Sequence, residues 1–128
     1  MVSLYPLKRR KDIEGLWEKG QRYAHPMLTL VVLPASEGPN AIGYVVSVPR
    51  RRVRKAVLRN RIRRLLREGV RRLCREASEK GRKLPVQEIG VVWRGSLTEE
   101  ELRRLRLSHL LPALRELFQQ VQASNPYP

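Results

Sequence analysis

The sequence predicts an α+β fold: a small single-domain α/β sandwich in which helices pack on a short sheet. Three observations carry that prediction. The 128 residues suffice for one hydrophobic core, and 41% of them are hydrophobic. Strand-like and helix-like patterns succeed one another in the order helix, strand, strand, long helix, strand, helix. One segment of about 26 residues then confines its apolar side chains to a single helical stripe, as a core-facing helix requires. We expect one domain over residues 1–122 and a frayed tail over 123–128.

The elements follow in order. Over Leu7–Gly20, the spacing of Ile13, Leu16 and Trp17 predicts a short amphipathic helix that Gly20 stops. From Arg22 to Leu33 the pattern changes to Met27, Leu28, Leu30, Val31, Val32 and Leu33, which predicts a strand. Residues 35–40 (ASEGPN) have turn composition. Ala41–Val48 predicts a second strand, antiparallel to the first and ended by Pro49. Lys55 to about Lys80 predicts the long helix, with Leu58, Ile62, Leu65, Leu66, Gly69 and Leu73 in one sector. Val86–Trp93 predicts a third strand. Thr98 with Glu101 three residues later is a capping-box pair, and a short helix through Leu102 and Leu105 should follow. A last helix buries Leu111, Leu114, Leu117, Phe118 and Val121. With Ser108 as its cap, Pro112 falls in its first turn. The helices are expected on one face of the sheet.

The charge points to a partner. Lys and Arg number 27 against 12 Asp and Glu, a net charge of +15. An isolated fold gains nothing from so much self-repulsion, so a polyanion is implied. Thirteen of the cations lie between Arg50 and Arg75, with Glu68 the one acid among them. Solvated surface helices offset their bases with acids at i,i+4; this one scarcely does. Arginine outnumbers lysine 21 to 6, and guanidinium matches phosphate with two parallel donors and stacks on bases, as ammonium does not.

Other chemistries are disfavoured. The single cysteine, Cys74, excludes an internal disulfide framework and a Cys-cluster zinc site. Met27–Leu33 is the longest apolar run, far short of the ~18 residues a membrane crossing needs. The basic stretch at the N-terminus has no apolar segment behind it, so we expect a cytoplasmic chain without a secretory signal or membrane partner. His25 and His109 stand in unrelated segments, which gives no catalytic pair. Glu99, Glu100 and Glu101 point about 100° apart on a helix, and acids in a first turn answer the macrodipole. No residue is therefore assigned a catalytic role.

Lys55-Ala-Val-Leu-Arg-Asn-Arg-Ile-Arg-Arg-Leu-Leu-Arg-Glu68 closely resembles the RNR signature of the bacterial ribonuclease P protein family. Leu7-Lys-Arg-Arg-Lys-Asp-Ile13 and Gly20-Gln-Arg-Tyr-Ala-His-Pro26 resemble that family's first helix and the entry to its first strand. Gly43-Tyr-Val-Val-Ser47 and Ile89-Gly-Val-Val-Trp-Arg94 resemble later strands, in the right order. The resemblance implies a ribonucleoprotein that removes the 5′ leader from precursor tRNA. Its RNA subunit would be the catalyst, using bound Mg2+. The protein would bind that RNA and hold the single-stranded leader in a cleft between helix and sheet; DNA is not expected as a partner. By position, Arg59, Asn60, Arg61, Arg63, Arg64 and Arg67 would be the RNA-binding residues, with Arg50, Arg51, Arg52 and Lys55 beside them. Ile13, Trp17 and Val31 would line the leader cleft. The resemblance also implies a left-handed βαβ crossover, which periodicity does not show because ordinary crossovers are right-handed. Ile13 stands where the family usually has Phe, and Val31 where an aromatic is frequent. The alternative function is a structural RNA-binding protein, ribosomal or assembly-related, with no part in tRNA cleavage.

Overall fold

The computed structural model describes residues 3–35, 41–81 and 84–124. The elements are β1 (Ser3–Pro6), α1 (Arg10–Lys19), β2 (Gln21–Ala24), β3 (Leu28–Pro34), β4 (Ala41–Ser47), α2 (Ala56–Glu79), β5 (Val86–Trp93), α3 (Glu99–Arg104) and α4 (Leu107–Ala123). One five-stranded sheet runs in the order β1-β4-β5-β3-β2. β4 is parallel to both β1 and β5, whereas β3 is antiparallel to β5 and β2. This is the expected mixed α+β domain. The parallel neighbours β4 and β5 are joined through α2, which makes the βαβ unit.

Alternation along the strands gives the sheet two apolar faces. Leu28, Leu30, Val32, Ile42, Ile89, Val91 and Trp93 point to one side. There they form the main core with Ile62, Leu66 and Val70 of α2 and Leu110, Leu114 and Leu117 of α4. Val31 points the other way and packs with Leu7 and Leu16, while Ile13, Trp17, Leu33 and Val45 are partly buried around them. The expectation of helices on one face is therefore corrected: α2 and α4 cover one side and α1 covers the other. A strand sequence buried on both faces, as Leu30-Val31-Val32 is, loses the alternation that would have shown this.

Several expectations change in detail. The strand expected over 22–33 is a hairpin, β2 and β3, broken at His25-Pro26. The His25 backbone N–H bonds the Leu28 carbonyl at 2.9 Å, and the His25 Nδ1 accepts from the Met27 N–H at 3.1 Å. β4 does not pair with β3, because β5 is inserted between them. β1 gives too little signal to be foreseen: four residues ending in proline, added to the edge of β4. The capping box forms as predicted, Glu101 N–H to Thr98 Oγ1 at 3.2 Å and Thr98 N–H to Glu101 Oε1 at 3.0 Å. Ser108 is not the cap of α4. Arg106 is, and Pro112 sits inside the helix on its exposed side. Ala123 still belongs to α4 and the Ser124 Oγ lies 2.7 Å from the Tyr23 Oη, so the first part of the expected tail is ordered against β2. Residues 125–128, and 36–40 of the expected turn, lie outside the described residues.

Candidate nucleic-acid interface

Helix α2 carries the predicted motif, and its 24 residues settle the register. Leu58, Arg59, Ile62, Leu66, Gly69, Val70, Leu73 and Cys74 are buried. Gly69 makes the contact with α4 possible, since a β-carbon there would lie 2.5 Å from the Leu114 Cδ1. Leu65 is only partly buried at the edge of this stripe. Asn60, Arg64 and Arg67 are exposed, and Arg61 and Arg63 half-exposed. Asn60 is held to its neighbour on the helix, its Oδ1 accepting from the Arg63 guanidinium at 2.7 Å.

Arg59 departs from the expectation of a surface RNA contact. It retains 9% of its exposure, and its Nη1 donates to the carbonyls of Val53 at 3.0 Å and Arg54 at 2.7 Å. Those carbonyls belong to the loop entering α2, so Arg59 fastens that loop to the helix from within. Arg52 also has a structural task. Its Nη1 donates to the Arg94 carbonyl at 2.7 Å, linking the same loop to the end of β5. Arg50, Arg51 and Lys55 are exposed beside it, and Lys55 pairs with Glu99 at 3.0 Å. Among the described residues Lys55 is the one cation between Arg50 and Arg67 with a carboxylate within 4.0 Å. The surface cations of this segment thus present nearly unneutralised charge to solvent.

On the opposite face of the sheet, α1 lies across β3 and β5. Trp17 lies against Gly90: a β-carbon on Gly90 would fall 2.7 Å from the Trp17 Cζ3. Trp17 and Ile13 are half-buried and keep part of their surface open. Val31 is fully buried beneath Leu16, so it supports the cleft from below and offers no surface to a ligand; this corrects its place among the cleft-lining residues. Sequence reasoning missed Thr29, Val45, Ser47 and Val92, which share this face by register and remain half-exposed. Glu88 is on it too, with its carboxyl pushed above the ordinary range by partial burial and by the charge of Asp12.

Other single residues take the modest roles their contexts allow. Trp93 is fully buried in the main core. Cys74 is buried, and burial pushes its thiol up to about 12. The His109 Nδ1 accepts from the Arg106 N–H at 3.0 Å, a capping contact. Among the described residues no group of three or more His, Cys, Asp or Glu side chains could hold a metal ion. No described helix is long and apolar enough to cross a membrane.

The model of the Ribonuclease P family matches residues 1–122. A ribonuclease P protein component from Desulfovibrio desulfuricans is 37% identical over 123 residues, covering 93% of this chain and 87% of the relative. One from Microcystis aeruginosa is 34% identical over 71 residues, covering 52% of this chain and 58% of the relative. The solved RNase P protein of Thermotoga maritima superposes with a TM-score of 0.67 at 21% identity, covering 90% of this chain and 96% of that one. That of Staphylococcus aureus gives 0.65 at 19% identity, over 94% and 98%. At such identities the two structures speak for the fold alone.

Proposed function

The chain belongs to the ribonuclease P family, and from that premise we propose that it binds the enzyme's catalytic RNA through α2 and the 5′ leader of precursor tRNA through the α1 face. The observation that carries the first half is the run of cations from Arg50 to Arg67, of which only Lys55 has a carboxylate partner among the described residues. Phosphates would complete that surface, with release of condensed counterions as the driving force. Asn60, Arg61, Arg63, Arg64 and Arg67 are the contacts on the helix, with Arg50, Arg51 and Lys55 at its entry. Arg59 and Arg52 act indirectly, by holding the loop that presents them.

The second half rests on an aromatic ring and apolar side chains with open surface, Trp17, Ile13, Val45 and Val92, on a sheet face removed from α2. Such a face stacks unpaired bases without reading their identity. Among its described residues no three or more His, Cys, Asp or Glu side chains are grouped so as to hold a metal ion. In this proposal the cleavage chemistry belongs to the RNA subunit, which would use bound Mg2+. The setting would be the bacterial cytoplasm, where precursor tRNA is made.

The test is cleavage of a precursor tRNA by the protein alone, by a bacterial ribonuclease P RNA alone, and by both at low magnesium. We expect no cleavage from the protein alone and faster cleavage from the pair than from the RNA. RNA activity that the chain leaves unchanged, with RNA binding intact, would favour the structural RNA-binding alternative.

A further inference from the structure

A second basic site lies off the exposed face of α2, where α3 gives way to α4. Arg61, Arg103, Arg104, Arg106, Ser108 and His109 line one recess there, with no carboxylate in its lining. We propose that this recess binds a backbone phosphate of RNA, so that the interface extends from α2 across the α3–α4 junction; this rests on the RNA-binding function proposed above.

Three features build the site. Arg61 is anchored, its Nη2 donating to the Leu105 carbonyl at 2.6 Å, so its charge is fixed at the recess with little side-chain freedom left to lose. Its Nε is buried and has no hydrogen-bond partner among the described residues, so the guanidinium is held in place through Nη2. His109 accepts at Nδ1 from the Arg106 N–H, which leaves its proton on Nε2 as a further donor. The recess also opens at the start of the 17-residue helix α4, where first-turn N–H groups and the macrodipole favour an anion.

The neighbouring acids are already engaged. Glu100 pairs with Arg104 at 2.9 Å, and Glu99 lies between Lys55 at 3.0 Å and Arg103 at 3.7 Å. Arg106 has no carboxylate within 4.0 Å among the described residues. A phosphate entering the recess would therefore meet Arg106 and Arg61 first, with Ser108 and His109 as further donors.

Two measurements test the site. In the first, isotope-labelled full-length protein is titrated with inorganic phosphate and followed by NMR at arginine Nε–H, the His109 ring and the Ser108 amide. Saturable shifts grouped at Arg61, Arg106, Ser108 and His109 are expected; weak, unsaturated shifts spread evenly over all arginines would overturn the proposal. In the second, the salt dependence of binding to a bacterial ribonuclease P RNA is compared for wild type, Arg106→Gln and Arg103→Gln. Each variant, folded by circular dichroism, should lower the slope of log affinity against log salt by up to about one unit, the loss of one phosphate contact. A steep wild-type slope that both variants retain refutes the recess while leaving RNA binding by α2 intact. A flat wild-type slope refutes the RNA-binding function itself.

Discussion

The indole of Trp17 lies on the bare backbone of Gly90, with two of its ring carbons within 2.8 Å of where a β-carbon would stand. Helix α1 can approach β5 this closely because position 90 has no side chain. The Cδ2 of Leu16 would lie 3.1 Å from the same point, so the contact fixes two consecutive helix residues. A single missing methyl thus sets both the depth of α1 on the sheet and the angle at which the Trp17 ring meets solvent.

Gly90→Ala should consequently push the Trp17 ring outward and destabilise the fold by roughly 1–3 kcal/mol through overpacking. Trp93 is fully buried and serves as an internal reference in fluorescence. A red-shifted emission with a lowered Tm is the expected result. An unchanged spectrum and Tm would show that α1 does not rest on Gly90.

Much of this arrangement was legible in the sequence. The leucine stripe and the absence of proline fixed the long helix to within a residue at either end, Lys55–Lys80 against Ala56–Glu79. β5 spans the whole of the predicted strand, Val86–Trp93. What stayed hidden depended on contacts distant in the chain. β5 separates β3 from β4 only because α2 returns the chain between them, and no local pattern in either strand records that. The resemblance puts Arg59 among the RNA-binding residues by position alone, and position in a motif does not distinguish an arginine bonded to loop carbonyls from one facing solvent. Its helical position lies within the buried sector of Ile62, Leu66 and Val70, and that was the available signal. Val31 is hidden from local pattern in the same way, since its side chain is covered by a helix packed on the second face.

The arginines of α2 should divide by burial. Arg59→Met removes the donor to the Val53 and Arg54 carbonyls, which should cost about 1–3 kcal/mol, the penalty for buried groups left unsatisfied. Leu66→Ala, at a fully buried position, should cost about 2–5 kcal/mol. Arg64→Ala, exposed and with no carboxylate within 4.0 Å among the described residues, should leave stability within about 0.5 kcal/mol and weaken RNA binding. Denaturant titration beside RNA affinity separates the three. Stability losses for Arg64→Ala as large as for Leu66→Ala would contradict the helical register.

Acid should weaken α3 through Glu101. Its carboxyl is held below the ordinary range, chiefly by the Thr98 backbone N–H and also by the Thr98 side chain. A depressed carboxyl contributes stability that is present above its unfolded value and is lost as pH falls through the folded one. Glu101→Gln keeps an acceptor but no charge, so wild type should exceed it in Tm at neutral pH. The difference should close once the pH drops below the ordinary carboxylate range. A Tm difference independent of pH would remove the carboxylate from the cap.

Cys74 should be silent toward thiol reagents in the folded protein. Burial raises its thiol to about 12, so almost no thiolate exists at pH 8, and the sulfur is enclosed as well. Alkylation by iodoacetamide should be slow in buffer and fast in denaturant. Adding catalytic RNA should slow it further by stabilising the folded state through mass action. Rapid labelling of native protein would mean that α2 opens at its C-terminal half.

Leader recognition gives the most selective prediction, because it separates stacking from general affinity for RNA. Trp17 lies four residues after Ile13, on the same side of α1, and both retain open surface above the buried Leu16 and Val31. Stacking of an unpaired base on an indole contributes about 1–3 kcal/mol, roughly five- to 150-fold in affinity. Trp17→Ala should therefore weaken binding of precursor tRNA that bears a leader of several nucleotides. Mature tRNA has no leader, and its affinity should hardly change. Affinity for the catalytic RNA should also stay near wild type, since α2 lies across the sheet from Trp17. Were Trp17 chiefly a core residue, its loss would cost roughly 3–5 kcal/mol of stability and all RNA affinities would fall together. Half-burial on Gly90 argues for a smaller stability loss, and Trp17→Phe, which keeps an aromatic ring, should recover much of the leader affinity. Equal losses for leader-bearing and leaderless tRNA in a folded Trp17→Ala protein would defeat the stacking role.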